Sequence, residues 1–366
     1  MANCKIPWYQ PMVDEEEKNL VLKVLTENYL NDGNVTDQFE ERWATMVNAK
    51  HALAVTSCTM GIFLALKGLR VGTGDEVLVP NMTFIATAHA VELTGANVVL
   101  VDVNPQTLTI DIEAAERSVT TKTKAIVPVH VSGRGADMVK ILELAKKHNL
   151  LVVEDAAAAF MSKQNGRYLG TIGKAGCYSL SPFKMVSTGQ GGIIVTDDDA
   201  LFEELVKLKD HGRPVKGTGG DDIHQSIGYN FKYTNLQAAV GLGQLNKVAF
   251  RMDRIKRAYK LYKENLKPNT VNLFPFNIAE GELPLWIDAW TEKRDTLINY
   301  LLSQNIECRE FWLPIHRQTA FKMPDERFAS STKISPLSFW LPSSFTMADE
   351  DVITVCRHIN KFFDGH

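Results

Sequence analysis

Cysteine is scarce in this 366-residue chain, and the five that occur (Cys4, Cys58, Cys177, Cys308, Cys356) are odd in number, widely spaced and without a CxxC pair. That spacing excludes a disulfide framework and a zinc site, and it suits a reducing cytoplasm. No run of about 18 apolar residues occurs, and the opening stretch MANCKIPWYQPMVDEEEKN lacks a basic segment followed by an apolar one, so neither export nor a membrane anchor is expected. Blocks of like charge are missing too. A net charge of −3 leaves no electrostatic footprint for nucleic acid or an anionic membrane. Internal repeats and low-complexity segments are absent. What remains is an ordinary globular composition, 45% hydrophobic and 23% charged, able to bury a sizeable core. The length leaves room for one large domain with a smaller one, and the expected partner is a small molecule or another subunit.

From about residue 14 to 210, short β-branched apolar segments alternate with helix-period stretches. The strand candidates are Ala52–Val55, Glu76–Val79, Val98–Val101, Ala125–Val129 and Leu150–Val153, and the helix candidates between them include Met60–Leu69, Ala86–Thr94, Ile112–Val119 and Met138–His148. Such alternation predicts an α/β fold with a mainly parallel sheet flanked by helices, in which ligands bind beyond the carboxyl ends of the strands. After Ile172 the pattern becomes strand–loop–strand, Gly176–Leu180 and Ile193–Thr196 around the loop SPFKMVSTGQGG. The glycine-rich loop Val215–Gln225 is expected to be mobile. One long helix over Asn235–Leu266 then leads to a smaller α/β unit, with strands near Leu283–Trp290 and Ile306–Trp312. Its last helix is expected from Thr346, where Thr346 and Asp349 make a capping-box pattern. The implied domains are 1–245 and 246–366.

The most informative chemistry lies in VVEDAAAAF (Val152–Phe160) and YSLSPFKMVSTGQGG (Tyr178–Gly192). Glu154 and Asp155 end a strand that should be fully buried, where a carboxylate is costly unless it meets a cation or a donor. Lys184 sits in a Ser/Gly-rich loop after another buried strand, where loss of water would lower its pKa and make it a nucleophile toward an aldehyde. A strand-end Asp and a loop Lys are the pair that pyridoxal 5′-phosphate needs. Singly, such an Asp is more often a helix N-cap and such a Lys solvated surface. Thr56–Ser57–Cys58–Thr59 follows the first strand and opens a helix, so its N–H groups and hydroxyls suit an anion, with Ser179 and Asn230 as further donors.

These residues belong to a longer likeness. The sequence resembles the DegT-like sugar-nucleotide aminotransferases, within the fold-type I pyridoxal-phosphate enzymes, through Pro7, GDEVLVPNMTFIATAHAV (Gly74–Val91), TKAIVPVHVSG (Thr123–Gly133), the EDAA segment, SPFKMVSTGQGG, IGYNFKYTNLQAAVGLGQL (Ile227–Leu245), ECREFWLPIH (Glu307–His316) and LPSS (Leu341–Ser344). The resemblance implies that Lys184 is the lysine joined to the cofactor and Asp155 the carboxylate facing its ring nitrogen. It implies that Phe84 stacks on the ring, although a Phe after a strand would otherwise be core. It further implies that Ser179 and the backbone around Cys58 and Thr59 hold the phosphate, and that Asn230 reaches it from a second subunit of a homodimer. Relatives that dehydrate a deoxysugar carry His at the lysine position, so Lys184 implies transamination.

Some positions depart from the family pattern. Ala158 stands where Gln or Glu is usual, Cys58 where Gly or Ser is common, Lys232 where Arg follows the Asn–aromatic pair, and Ser132 where an aromatic is frequent; Lys and Arg are not equivalent at an anion site. His130 is either a hydrogen-bonded core residue or a polar group at the site. Arg309 is either an exposed ion pair or, with His316 and Lys232, a substrate contact. The expectation is a cytoplasmic homodimer that aminates a nucleotide-linked 4-keto-6-deoxysugar for polysaccharide or glycoconjugate synthesis, with glutamate as the implied donor. The alternatives are another keto sugar, a cyclitol or small keto compound, and a pyridoxal-phosphate-binding regulatory protein with little turnover, which Ala158 and Lys232 leave open.

Overall fold

The computed structural model describes residues 4–214 and 223–365, so most of the segment 215–225 expected to be mobile lies outside the described residues. Thirteen strands occur among the described residues: β1 (His51–Val55), β2 (Glu76–Pro80), β3 (Asn97–Val101), β4 (Thr123–Ile126), β5 (Leu151–Asp155), β6 (Lys163–Gln164), β7 (Arg167–Tyr168), β8 (Ala175–Ser179), β9 (Gly192–Thr196), β10 (Asn272–Leu273), β11 (Ile287–Trp290), β12 (Arg309–Glu310) and β13 (Ser338–Leu341). Seven of them form the main sheet in the order β1-β9-β8-β5-β4-β2-β3. Only β9 runs against the others, pairing antiparallel with both β1 and β8. The expected α/β class and mainly parallel sheet are therefore present.

Strands buried on both faces read as apolar runs, and their alternating side chains feed two cores. Val77, Val79, Ala125, Val153 and Ile194 cluster with Ile62 and Leu66 of the helix Cys58–Gly68. Leu78, Ile126 and Val152 cluster with Ile141 and Leu144 of the helix Met138–His148, which occupies the expected span. Each fully buried side chain of this kind contributes roughly 1.5–3 kcal/mol.

A four-stranded antiparallel sheet, ordered β10-β11-β13-β12, makes the second unit. Tyr262, Leu297, Val352 and Val355 of the helices Val248–Asn265, Arg294–Ser303 and Asp349–Asp364 pack with it around Ile287 and Phe339. The chain start is strapped to this unit by a bridge from Ile6 to Ile306. Of the strand expected over Ile306–Trp312, only Arg309–Glu310 pairs as β12. The central strand β13 was not anticipated.

Two helix boundaries differ from expectation by more than two residues. The stretch Asn235–Leu266 is two helices, Asn235–Asn246 and Val248–Asn265, broken at Lys247. There the ammonium reaches back to Asp14 (2.8 Å) and Glu17 (2.5 Å) at the start of the helix Glu15–Glu27. The last helix begins at Asp349, not Thr346, with Ala348 as its N-cap. Asp349 caps nothing, because Arg254 and Arg257 hold its carboxylate at 3.0 and 2.9 Å.

At the end of β5 the strand's alternation separates the two adjacent acids. Glu154 is fully buried and accepts the N–H groups of Gly170 (2.7 Å), Ile172 (2.6 Å) and Gly173 (2.6 Å). His130 lies 2.9 Å from it through Nε2, while its Nδ1 accepts the Ala136 N–H at 3.1 Å, an arrangement that assigns the ring proton to Nε2. Glu154 thus organises the turn after β7. Glu154→Ala leaves three N–H groups and His130 without an acceptor, and is expected to cost about 3–5 kcal/mol. The midpoint and slope of urea unfolding measure it.

Candidate active site

The carboxyl ends of β4, β5 and β8 open on a cavity of about 520 Å³, closed on the other side by residues of the small sheet. Asp155, Phe84, Cys58, Thr59, Ser179, Lys184 and Arg309, widely separated in sequence, all line it.

Asp155 turns to the cavity as Glu154 turns away. One of its oxygens accepts the Thr87 hydroxyl at 2.7 Å and the other the Ala157 N–H at 3.1 Å. An ionised carboxylate has about four acceptor positions, so two hydrogen bonds leave it undersupplied at this depth. Burial pushes its carboxyl pKa up, while Thr87, Ala157 and the charge of Lys184 pull it back. A further donor or cation on the cavity side would complete its partners.

Lys184 stands in the loop between β8 and β9, half-buried, with its Nζ 4.4 Å from the centroid of the Trp286 ring. Desolvation pushes its pKa down to about 8, against the pull of Asp155, and the nearby Arg309 adds to the lowering. An amine near that value is substantially uncharged at mildly alkaline pH, the form that attacks an aldehyde. The loop is held from three distant segments: Tyr9 Oη donates to the Lys184 carbonyl (3.0 Å), Arg251 Nη1 to the Met185 carbonyl (2.6 Å) and Trp286 Nε1 to the Phe183 carbonyl (3.2 Å). None of these three was legible as a functional residue, since only the fold brings them to the loop.

The anion end is built at the start of the helix Cys58–Gly68. Ser57 caps it by accepting the Met60 N–H at 3.2 Å, while the first-turn N–H groups and the Thr59 hydroxyl remain at the cavity beside Ser179. Cys58 is buried, and burial pushes its thiol well up, so it stays neutral beside an anion. Gly192 makes the approach possible: a Cβ there would sit 2.5 Å from the Cys58 nitrogen. The donor set therefore fits pyridoxal 5′-phosphate, with oxyanion donors at one end, an acid short of a donor or cation within, and a depressed amine for the aldehyde.

The other candidates divide. Phe84 is no core residue; it is 56% exposed on the cavity rim. Ala158, 8% exposed, lines the cavity without a polar group. His130 is the hydrogen-bonded core residue of the two readings: its side chain is fully buried with both ring nitrogens engaged, although the residue also lines the cavity. Arg309 faces it across Trp8, its guanidinium 5.0 Å from that ring. Asn230 is exposed and lies outside its own chain's cavity. Lys232 is also outside, bound at 2.7 Å to Asp210, a residue the backbone bridge to Asn230 brings alongside. His316 is fully buried away from the cavity: its N–H donates to Asn81 Oδ1 (2.9 Å), its Nδ1 accepts from Asn81 Nδ2 (2.8 Å), and Nε2 meets Asp325 (2.9 Å). It fastens the loop that carries Phe84 instead of meeting a ligand. The substrate contacts expected of Lys232 and His316 are not made within the chain, because each is committed to a protein carboxylate.

Comparison with known proteins agrees with this geometry. The DegT/DnrJ/EryC1/StrS aminotransferase family matches residues 11–360, and the chain belongs to it. It is accordingly an aminotransferase that uses pyridoxal 5′-phosphate. Among curated relatives, the GDP-perosamine synthase of Escherichia coli O157:H7 is 33% identical, covering 98% of each chain. The spore coat polysaccharide biosynthesis protein SpsC of Bacillus subtilis is also 33% identical, covering 99% of this chain and 98% of its own. Among solved structures, S. venezuelae DesV superposes with a TM-score of 0.90 at 28% identity, over 95% of this chain and 94% of its own.

Two outcomes follow for the site. Gly192→Ala pushes the Ser57–Cys58 backbone away from β9, so it should weaken pyridoxal 5′-phosphate binding at least tenfold, equivalent to about 1.4 kcal/mol, and also lower the thermal midpoint of the cofactor-free protein, since overpacking of this kind costs about 1–3 kcal/mol; equilibrium titration of cofactor absorbance and thermal unfolding measure the two effects. The rate of cofactor capture should rise with pH and level off above about 8, as Lys184 loses its proton. Stopped-flow mixing of cofactor-free protein with pyridoxal 5′-phosphate between pH 6 and 9 gives that profile.

Proposed function

We propose that the protein transfers an amino group from an amino acid, with L-glutamate as donor, to the ketone of a nucleotide-linked 4-keto-6-deoxysugar, for polysaccharide or glycoconjugate synthesis. The observation that carries the amine-transfer chemistry is the meeting of the depressed Lys184 amine and the undersupplied Asp155 carboxylate in one cavity. The sugar is supported by the relatives: GDP-perosamine synthases and a coat-polysaccharide protein match over nearly their whole lengths.

Bound in the cavity, pyridoxal 5′-phosphate supplies an electron-withdrawing ring that acidifies the C–H bond beside an attached amine and holds the amino group between the two substrates. Asp155 would face the ring nitrogen and keep it protonated. Ser179, Thr59 and the N–H groups at Cys58 and Thr59 would hold the phosphate, and Phe84 would cover the ring. With the cofactor bound, Lys184 would be the base that takes the proton from the donor α-carbon and the acid that returns it. In the second half-reaction it works in reverse on the keto sugar, which gives ping-pong kinetics. Hydrogen bonds to three distant segments keep the loop backbone still, so only the side chain has to move.

The reading includes a second copy of the chain. Asn230 is exposed, and Ile227 beside it is 86% exposed. Across a homodimer interface Asn230 would donate to the partner's phosphate group. A cytoplasmic site of action agrees with five free cysteines.

Lys184→Ala should retain its fold, since a side chain lining a cavity contributes little to stability, and lose transamination by at least about a thousandfold. Far-ultraviolet dichroism checks the fold, and single-turnover absorbance with L-glutamate checks the chemistry. Undiminished turnover would remove Lys184 from the mechanism.

A further inference from the structure

Four of the chain's six tryptophans, Trp8, Trp286, Trp312 and Trp340, line the cavity. Trp340 is the hub: its ring centroid lies 5.8 Å from Trp8, 5.3 Å from Trp286 and 5.0 Å from Trp312. The N–H of Trp286 is spent on the Phe183 carbonyl, and that of Trp340 on Asp288 Oδ1 at 2.8 Å. With their N–H groups committed and no more than 5% of either residue exposed, these two indoles, like Trp8, form an apolar backing to the cavity, and the half-buried Trp312 presents its ring in front of them. A wall of this kind suits a flat, C–H-rich face and gives little to a hydroxyl-rich one.

Trp340 is oriented from below by a buried charge. Asp288 on β11 is fully buried, and its Oδ1 also accepts the Ser132 hydroxyl at 2.6 Å while Oδ2 pairs with Arg134 at 3.0 Å. Arg134, itself buried, is anchored on the carbonyls of Pro275 (2.8 Å) and Thr107 (3.1 Å). Ser132 and Arg134 lie in the turn after β4, on the main-sheet side of the cavity. Asp288 thus joins that turn to an indole of the small sheet that forms the cavity's wall.

We infer that Trp312, the one partly open indole of the four, is the stacking platform for the apolar face of the substrate's sugar ring, that the buried Trp340 backs it edge-to-face, and that Asp288 is the positioning residue that fixes this support through the Trp340 N–H. The inference rests on the proposed sugar substrate. It names the residues that prefer a deoxygenated pyranose face over a hydroxylated one.

The test uses the dimeric holoenzyme with a nucleoside-diphosphate-linked 4-keto-6-deoxyhexose, the free nucleoside diphosphate and L-glutamate. In the wild type, the sugar nucleotide should quench tryptophan fluorescence and the free nucleotide should not. Trp312→Ala should raise KM for the sugar nucleotide about tenfold or more, leaving the rate of the glutamate half-reaction within about twofold. Trp340→Phe keeps a ring but loses the N–H, and should raise that KM less. Asp288→Ala, which removes the acceptor of the Trp340 N–H, should raise it in the wild-type background and add nothing on top of Trp340→Phe, the signature of action through that indole. An unchanged KM in Trp312→Ala overturns the platform, and an Asp288→Ala effect that survives intact in Trp340→Phe overturns the positioning role. If Asp288→Ala does not fold, Ser132→Ala removes one hydrogen bond to the same oxygen and is read by the same cycle. A wild type that aminates small keto compounds but no sugar nucleotide overturns the sugar reading, and the platform with it; a wild type that aminates the sugar nucleotide with KM unmoved in every variant overturns the platform alone.

Discussion

A carboxylate that must stay charged where water cannot reach it is the constraint around which the active site is arranged. Asp155 receives two hydrogen bonds from its own chain, which is too few for an isolated acid at that depth, and the nearby amine of Lys184 is itself short of solvation. Neither group is at ease alone. A cofactor with a basic ring nitrogen and an aldehyde relieves both, so the cost of burying these groups is recovered when it binds. Glu154 is the contrast: next in sequence, on the opposite face, it is supplied with three N–H groups and His130 and has no unmet need.

The rest of the fold delivers groups to that place. Parallel strands end together, so Asp155 and Ser179 meet although β6 and β7 lie between their strands in sequence. The helix after β1 brings a ready-made anion end, and Gly192 lets β9 pass close beneath it. The small sheet contributes a different chemistry, indole faces with Arg309 among them. In the proposed function, the main sheet supplies the groups that recognise the cofactor, and the small sheet supplies much of the remaining cavity wall.

Much of this was legible because it rests on local pattern. Strands buried on both faces are apolar runs, and β1 to β5 were found within a few residues of their ends. The VVED sequence marked a buried acid, though composition alone did not say which of the two carboxylates faces the ligand; strand alternation decides that. What was not legible depends on contacts between distant segments. Thr87 and Arg251 look like ordinary helix residues until the fold sets them against Asp155 and the Lys184 loop. The break at Lys247 has no glycine or proline at it, and the acids that Lys247 pairs with there lie some 230 residues earlier. His316 stood in a motif beside Arg309, yet Asn81 and Asp325 take both of its ring nitrogens. The four-indole wall was missed for the same reason: its members lie on four separate segments, and β13, which carries the hub, is four residues long.

The central claim is electrostatic, that Asp155 holds a positively charged ring nitrogen in a water-poor cavity. Nitrogen-15 magnetic resonance of the holoenzyme loaded with ring-labelled pyridoxal 5′-phosphate measures it directly. The account predicts a protonated ring nitrogen throughout pH 6 to 9 in the wild type and an unprotonated one in Asp155→Asn. An unprotonated nitrogen in the wild type, or one indifferent to residue 155, would contradict it.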